Sequence, residues 1–362
     1  MGTLTEYIRK YKNISFKEEP FNDLDSAIFS SLTYLDFDSI ANNSITMKEA
    51  GIKFFDRFEY KDLKKLPIVV KKTVDNFKKL YDGDRYKNIV LSNYVKIVDL
   101  EKQFCALTYK LPNNTYYIAY EGTDDSLIGW QEDFEMIYKF PVPAQKMAID
   151  YINKVFKFRM LKIYVGGHSK GANLAMTASM YARGYIKRRI IKVYNFDGPG
   201  FRKEQIDSKE YKQMLSKLKM FVPEQTVVGV ILRHPNNYYA VKSKGLGLFQ
   251  HNINNWQCYG TIFVEGNLST NSKNVENRVL KWLHDHDDVQ RKIFVDTLFE
   301  TFRRCDISQF SELRKIKISR IIKLIKASRK IDRESKELVL SAIKIILFGD
   351  KDNIIEYNMK DE

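Results

Sequence analysis

Residues 165–175 read Val165-Gly166-Gly167-His168-Ser169-Lys170-Gly171-Ala172-Asn173-Leu174-Ala175, and they contain the spacing Gly-x-Ser-x-Gly centred on Ser169. The apolar residues 160–165 before this stretch predict a buried strand, and the small residues 172–178 predict a helix after it. A strand, a tight turn and a helix around such a serine form a nucleophile elbow, whose strained turn requires neighbours without bulky side chains. We therefore expect Ser169 Oγ to project above a sheet, at a helix N-terminus that stabilises developing negative charge.

The composition of the 362-residue chain is that of a soluble globular protein, with 44% hydrophobic and 29% charged residues. The sequence shows neither an apolar run of membrane-spanning length nor a signal peptide, which predicts a cytoplasmic location. Cys105, Cys258 and Cys305 lie far apart and without metal-like spacing. They predict a reducing compartment, no disulfide framework and no zinc site, and nothing in the sequence calls for a cofactor.

Apolar runs along the chain predict a central, mostly parallel sheet, as in the α/β-hydrolase fold. The β-rich runs 104–111 and 116–120 flank a Pro-Asn-Asn-Thr turn and predict a hairpin. Another apolar strand is expected over 189–196. A third is expected over 225–232, with 238–241 as its pairing partner.

Helices are expected over residues 1–60, over 144–158 and from about 270 onward. The predicted fold is therefore an α/β class with a helical N-terminal segment and a helical C-terminal extension. We expect a hydrolase domain over residues 1–268 and a helical extension or cap over 269–362.

A serine nucleophile needs a histidine to take its proton and an acid to orient that histidine. In α/β-hydrolases the chain order is serine, acid, histidine, and the histidines after the elbow are His234, His251, His284 and His286. The last two lie in a charged stretch that predicts a solvated helix end. His234 follows the predicted strand 225–232, whereas His251 lies in a later loop, where this fold places its catalytic histidine. His251 is the favoured base, and His234 is the alternative.

The acid is predicted from the ends of strands. Asp197 directly follows the strand predicted over 189–196, and the carboxyl end of a parallel strand faces the active-site crevice. An Asp before Gly-Pro also suits a turn without any catalytic role. Glu224, which follows a Val-Pro pair, is the competing acid, and Asp197 is preferred.

The oxyanion hole should combine the N–H of the residue after the nucleophile, Lys170, with an N–H from a loop after an earlier strand. Gly122 and Thr123 form such a loop after the run 116–120. Gly122 permits a sharp turn, and Thr123 offers both an N–H and a hydroxyl. We expect Thr123 and Lys170 to provide the oxyanion donors.

Several segments together resemble a known family. Tyr120-Glu121-Gly122-Thr123 and Trp130-Gln131-Glu132-Asp133 are similar to the oxyanion loop and Trp-x-x-Asp segment of class 3 (fungal-type) lipases. Lys170, Asn173, the run 195–201 and the segment Gln250-His251-x4-Trp256 resemble more narrowly a bacterial domain-of-unknown-function family of lipase-like α/β-hydrolases. The resemblance covers nearly the whole chain. It implies that Ser169 is the nucleophile, His251 the base and Thr123 the oxyanion-loop residue.

Two positions depart from the class 3 lipase pattern. Glu121 stands where those lipases commonly have Arg, and Met220 stands where they place their acid, two residues before Val-Pro. Asp197 is therefore a substitute acid. The resemblance implies an esterase or lipase that cleaves a carboxylic ester or lipid, and the missing acid motivates the alternative of a weak or inactive hydrolase fold used as a binding module.

The formal net charge is +15, and much of the excess is scattered lysine, but residues 313–330 contain eight basic residues and no acidic one. Apolar residues interleave with them at largely helical spacing. This pattern is found in basic amphipathic helices on anionic membrane surfaces, but it is more often that of a surface helix whose apolar side packs on the domain. We expect no nucleic-acid partner, because no recognition motif accompanies the charge.

Overall fold

A computed structural model describes residues 1–58, 68–99, 102–124, 126–157, 161–309, 312, 325 and 330–338. No helix among these residues has the length and apolar character needed to cross a membrane. Their main sheet has eight strands in the order of the chain: β1 Ile45–Thr46, β2 Val90–Val98, β3 Gln103–Lys110, β4 Thr115–Tyr120, β5 Lys162–His168, β6 Ile190–Phe196, β7 Leu218–Pro223 and β8 Tyr239–Val241.

The sheet changes from antiparallel to parallel at β4. Strands β1 to β4 pair antiparallel, which includes the predicted β3–β4 hairpin, and β4 to β8 pair parallel. In the parallel part, Tyr120 lies opposite Gly167, and His168 lies opposite Phe196. The loops that follow β4, β5 and β6 therefore meet at one edge, where open α/β sheets bind their ligands.

Side chains alternate between the two faces of the sheet, and each face is covered by helices. On β4, Tyr117 and Ala119 join a core with the N-terminal helices, whereas Ile118 and Tyr120 join the core on the other face. The helices before the elbow are α1 Leu4–Tyr11, α2 Asp23–Leu32, α3 Met47–Arg57, α4 Ile68–Leu80, α5 Leu127–Glu135 and α6 Pro143–Val155. After it come α7 Lys170–Tyr181, α8 Gly184–Lys187, α9 Lys203–Ile206, α10 Lys209–Leu215, α11 Thr270–Asp285 and α12 Asp288–Arg304.

A third core joins the C-terminal helices α11 and α12 to α5, the helix that follows the predicted oxyanion loop. Phe299 of α12 is fully buried, and its ring meets Phe134 of α5 edge to face at 5.5 Å. The Leu127 N–H at the start of α5 donates to the Ser308 carbonyl at 3.0 Å. The C-terminal helices thus pack against the element beside the site, and the domain division at residue 268 stays a prediction.

The strand predicted over 225–232 is wrong. These residues form a turn and a 3₁₀ turn at Val228–Val230, and the strand lies earlier, over Leu218–Pro223. The predicted neighbour, β8, pairs with β7. The apolar run 225–232 packs in a loop around Asp197: the Thr226 hydroxyl donates to Asp197 Oδ1, and Gly229 lies against the same oxygen. The hydrophobicity of the run therefore reflects packing around the site rather than strand pairing.

Candidate active site

The elbow has the predicted geometry. Ser169 lies between β5 and α7 with φ 58° and ψ −133°, a backbone conformation that residues other than glycine rarely adopt. The residue is 7% exposed. A Cβ on Gly167 would overlap the Gly171 backbone, and one on Gly171 would overlap the Tyr120 carbonyl. Both glycines are therefore required for the close approach of the turn to α7 and to the end of β4.

His251 and Asp197 are hydrogen-bonded to each other. His251 Nδ1 lies 2.6 Å from Asp197 Oδ2, and the Asp197 side chain is fully buried. Since an ionised carboxylate only accepts, His251 Nδ1 carries the proton and Nε2 is left with its lone pair. The His251 ring lies 4.5 Å, centroid to centroid, from the ring of His168, the residue directly before Ser169. The Asp197–His251 pair thus lies beside the elbow that carries Ser169.

Asp197 is fixed by its own surroundings. It follows β6 with φ 54°, and its N–H donates to the Phe221 carbonyl at 2.8 Å. Its second oxygen, Oδ1, accepts the hydroxyl of Thr226, which in turn accepts the Gly229 N–H at 2.9 Å. The residues wrongly predicted as a strand therefore hold the carboxylate in place.

The competing acid, Glu224, points elsewhere. Its carboxylate oxygen Oε1 accepts the Asn267 N–H at 3.4 Å, beside the start of α11. Met220, at the position where class 3 lipases carry their acid, is buried on β7. Of the two candidates, the structure brings Asp197 to His251 and leaves Glu224 away from it.

Side chains that follow His251 in the sequence hydrogen-bond to the backbone just before it and hold the His251 loop in place. The indole N–H of the buried Trp256 donates to the Gln250 carbonyl at 2.8 Å, and Asn255 Nδ2 donates to the Phe249 carbonyl at 2.7 Å. The Gln250 side chain accepts the Gln225 N–H at 3.0 Å. The spacing Gln-His-x4-Trp in the sequence is explained by these contacts.

The predicted oxyanion loop lies next to Ser169. A Cβ built on Gly122 would lie 3.0 Å from Ser169 Cβ, so a larger residue there would crowd the serine. The Thr123 hydroxyl donates to Asp133 Oδ2 on α5. The hydroxyl of Thr123 is thus engaged in holding the loop, and its N–H is the group expected to face the oxyanion.

Lys170 contributes a side chain as well as its N–H. Its buried Nζ donates to the Gln103 carbonyl at 2.9 Å and lies 3.3 Å from Glu132 Oε2. Glu132 also accepts the Ala144 N–H at 2.8 Å, which ties the start of α6 to the same cluster. The sequence predicts only the backbone N–H of Lys170 as a site group. The role of its side chain was not predictable, because Gln103, the partner of Nζ, lies far away in the chain.

Two buried carboxyls beside this cluster titrate far from their ordinary range. Burial raises the pKa of Glu121 to about 7, against the opposing charge of Lys96. Burial likewise raises the pKa of Asp133 to about 7, although Lys170 and the Thr123 hydroxyl oppose the change. Such shifts are frequent at functional sites, and here both carboxyls flank the oxyanion loop.

The three other histidines after the elbow have different partners. His234 Nε2 is 3.3 Å from Glu276 Oε1 on α11, and His284 is exposed. His286 is buried, contrary to the predicted solvated helix end. It stacks on Trp282, one turn earlier, at 4.6 Å and lies 3.1 Å from Asp332 Oδ2. Within the described part of the chain, no three His, Cys, Asp or Glu side chains come together as metal ligands would.

The mostly parallel sheet with helices on both faces, and the tight turn at Ser169 between β5 and α7, define an α/β-hydrolase fold. The family model described as Mbeg1-like matches residues 80–300, and the chain belongs to the Mbeg1-like family. That description names no substrate or reaction. No curated protein matches the sequence significantly.

The solved structures similar to this chain include several lipases. The Rhizomucor miehei lipase in its propeptide complex is 12% identical with a TM-score of 0.38, over 60% of this chain and 66% of that one. A fungal lipase–inhibitor complex described as a model for interfacial activation is 12% identical with a TM-score of 0.39, over 60% and 77%. A triacylglycerol lipase whose centre is described as a serine protease triad is 13% identical with a TM-score of 0.36, over 60% and 77%.

The chain thus covers just under two thirds of the Rhizomucor miehei lipase chain. At these identities and TM-scores, no residue's role and no activity is transferred to this chain from the lipases.

Proposed function

We propose that this protein is a serine hydrolase of the esterase or lipase type, which cleaves a carboxylic ester through an acyl-enzyme on Ser169. The observation that carries the proposal is the 2.6 Å hydrogen bond between His251 Nδ1 and the buried Asp197, formed beside an elbow serine in a strained conformation. A base oriented by an acid next to a serine is the arrangement that activates a hydroxyl nucleophile.

In the proposed first half-reaction, His251 Nε2 takes the Ser169 proton while Oγ attacks the ester carbonyl carbon. The carbonyl oxygen becomes an oxyanion, which the N–H groups of Lys170 and Thr123 stabilise. The C–O bond to the alcohol then breaks, and the alcohol leaves with the proton from His251. Asp197 keeps the proton on Nδ1 throughout and stabilises the imidazolium while it exists.

In the second half-reaction, His251 takes a proton from water, and the resulting hydroxide attacks the acyl carbon. The bond to Ser169 Oγ breaks, Oγ regains the proton from His251, and the carboxylic acid leaves. Every proton taken is returned, so the cycle needs no cofactor and consumes one water per ester.

The alternative of an inactive binding module was motivated by Met220 at the usual acid position. The hydrogen bond between Asp197 and His251 supports the catalytic proposal over this alternative. Peripheral contact with an anionic membrane stays a proposal from sequence charge alone. Residues 313–330 lie outside the described residues, apart from Ile325 and Lys330.

The proposal is tested with p-nitrophenyl esters of increasing acyl length, which also narrows the substrate class. We expect hydrolysis by the wild-type protein and a loss of about 10⁴-fold or more in kcat for Ser169→Ala. His284→Gln, at an exposed histidine, is the matched control and should retain full activity. Wild-type hydrolysis no faster than that of Ser169→Ala across all acyl lengths contradicts the proposal.

A further inference from the structure

We propose that Tyr34 and His168 form a hydrogen-bonded relay that fixes His251 relative to the oxyanion loop. The inference rests on the serine hydrolase proposed above and assigns two positioning residues to it. Neither residue touches the reacting atoms in the proposed mechanism. His168 acts through the backbone of His251, and Tyr34 acts through the side chain of His168.

His168 occupies the variable position directly before the nucleophile, and its side chain is almost completely buried. Its Nε2 lies 2.7 Å from the His251 carbonyl oxygen, and its Nδ1 lies 2.8 Å from the Tyr34 hydroxyl. A carbonyl oxygen can only accept, so Nε2 carries the ring proton and Nδ1 accepts from the hydroxyl. One neutral tautomer therefore satisfies both bonds.

The surroundings favour that neutral tautomer. Burial holds the pKa of His168 well below its usual range, and the neighbouring His251 lowers it further. In a protonated His168, Nδ1 would instead donate to the Tyr34 hydroxyl oxygen, which would reverse the direction of that bond. The ring thus keeps one acceptor and one donor, which gives the relay a fixed direction.

Tyr34 carries the relay to the oxyanion loop. Its hydroxyl lies directly against Gly122, since a Cβ built on Gly122 would lie 2.0 Å from the hydroxyl oxygen. Hydrogen bonds therefore run from Tyr34 through His168 to the His251 backbone, and Tyr34 itself packs against the oxyanion loop.

His251 is consequently held at two points, its carbonyl by His168 and its Nδ1 by Asp197. The His251 side chain is 16% exposed, and His251 is the last residue of a short 3₁₀ turn, Gly247–His251, rather than part of a strand or an α-helix. A displacement of about 1 Å in a catalytic group costs about a hundredfold in rate. Loss of the relay should therefore lower kcat and leave KM nearly unchanged.

Two amide substitutions separate the two bonds of His168. The Gln amide lies near the position of Nε2, so His168→Gln retains a donor to the His251 carbonyl and loses the link to Tyr34. The Asn amide lies near the position of Nδ1, so His168→Asn retains the link to Tyr34 and loses the bond to His251. Tyr34→Phe removes only the hydroxyl, and His234→Gln is the matched control at a remote buried histidine.

For p-nitrophenyl ester hydrolysis, we expect His168→Asn to lower kcat by about ten- to a hundredfold, with KM changed by less than about threefold. His168→Gln should restore most of that loss, Tyr34→Phe should lower kcat by about three- to tenfold, and His234→Gln should behave as wild type. Equal kcat values for all variants, or a Gln variant as impaired as the Asn variant, would overturn the relay.

A second measurement does not depend on turnover. The proton between His251 Nδ1 and Asp197 should give a downfield proton NMR resonance, assigned by its loss in Asp197→Asn. It should broaden through faster solvent exchange in His168→Asn and stay sharp in His168→Gln. A wild-type protein that hydrolyses no ester contradicts the proposed function, whereas an unchanged resonance in His168→Asn contradicts the relay.

Discussion

Replacing Glu121 by Gln should make the stability of this protein less dependent on pH. Glu121 is a buried carboxyl at the end of β4, with Gln103 Nε2 3.4 Å from its Oε2 and with Lys96, Asp124 and Lys170 as the charged groups around it. Burial raises its pKa to about 7, from an ordinary 4.5. Between about pH 4.5 and pH 7, the folded protein therefore keeps a proton on Glu121 that the unfolded chain has released.

The sign follows from that difference in bound protons. Because the folded state holds more protons than the unfolded state between about pH 4.5 and pH 7, the free energy of unfolding falls as pH rises through this window. At about 1.4 kcal/mol for each pH unit, Glu121 alone accounts for a loss on the order of 3 kcal/mol. Asp133, whose pKa burial also raises to about 7, adds a loss of the same sign.

Urea unfolding at pH 5 and at pH 8 measures this loss directly. Between pH 5 and pH 8, the free energy of unfolding of the wild-type protein should fall by on the order of 2 to 3 kcal/mol more than that of Glu121→Gln, because Gln has no proton to release. Glu204→Gln, at an exposed glutamate on α9, is the matched control and should follow the wild type. A Glu121→Gln variant that loses as much stability as the wild type would refute the reasoning.

Three further substitutions have defined outcomes. Asp197→Asn should lower kcat by about 10³- to 10⁴-fold in steady-state ester hydrolysis. The reason is that an amide no longer selects the His251 tautomer that carries its proton on Nδ1 and leaves Nε2 free. A decrease of less than about tenfold would argue against Asp197 as the acid. Thr123→Val removes the hydroxyl bonded to Asp133 and should lower kcat by about ten- to a hundredfold, with little change in KM if the loop is held by that bond. Phe299→Ala should cost about 3 to 5 kcal/mol in urea unfolding, because the fully buried ring joins α12 to α5, and a cost below about 1 kcal/mol would contradict that packing.

The predicted site residues were accessible from the sequence because each is marked by a local feature. Ser169 is marked by glycines two residues away on either side, and Asp197 by its place at the end of an apolar run. Parallel strands bring their carboxyl ends to one edge, so these two residues had to come close together. The only signal for His251 in the sequence is its late position in the chain, and His251 Nδ1 lies 2.6 Å from Asp197 Oδ2.

Other features depend on contacts between distant segments. His168 lies within the elbow motif, yet its partners Tyr34 and His251 are 134 and 83 residues away. The apolar run 225–232 resembled a strand because hydrophobicity alone does not distinguish pairing from burial in a loop. The buried position of His286 had one local signal, since Trp282 precedes it by four residues in the last turn of α11, which ends at Asp285.

The central claim is that Ser169 is an activated nucleophile, and covalent labelling by a fluorophosphonate followed by mass spectrometry tests it most directly. We expect the intact mass of the wild-type protein to increase by a single adduct, which peptide mapping places on Ser169. The same treatment should leave Ser169→Ala unlabelled and should label Asp197→Asn much more slowly. A wild-type protein that stays unmodified, or an adduct that maps elsewhere and persists in Ser169→Ala, would contradict the claim.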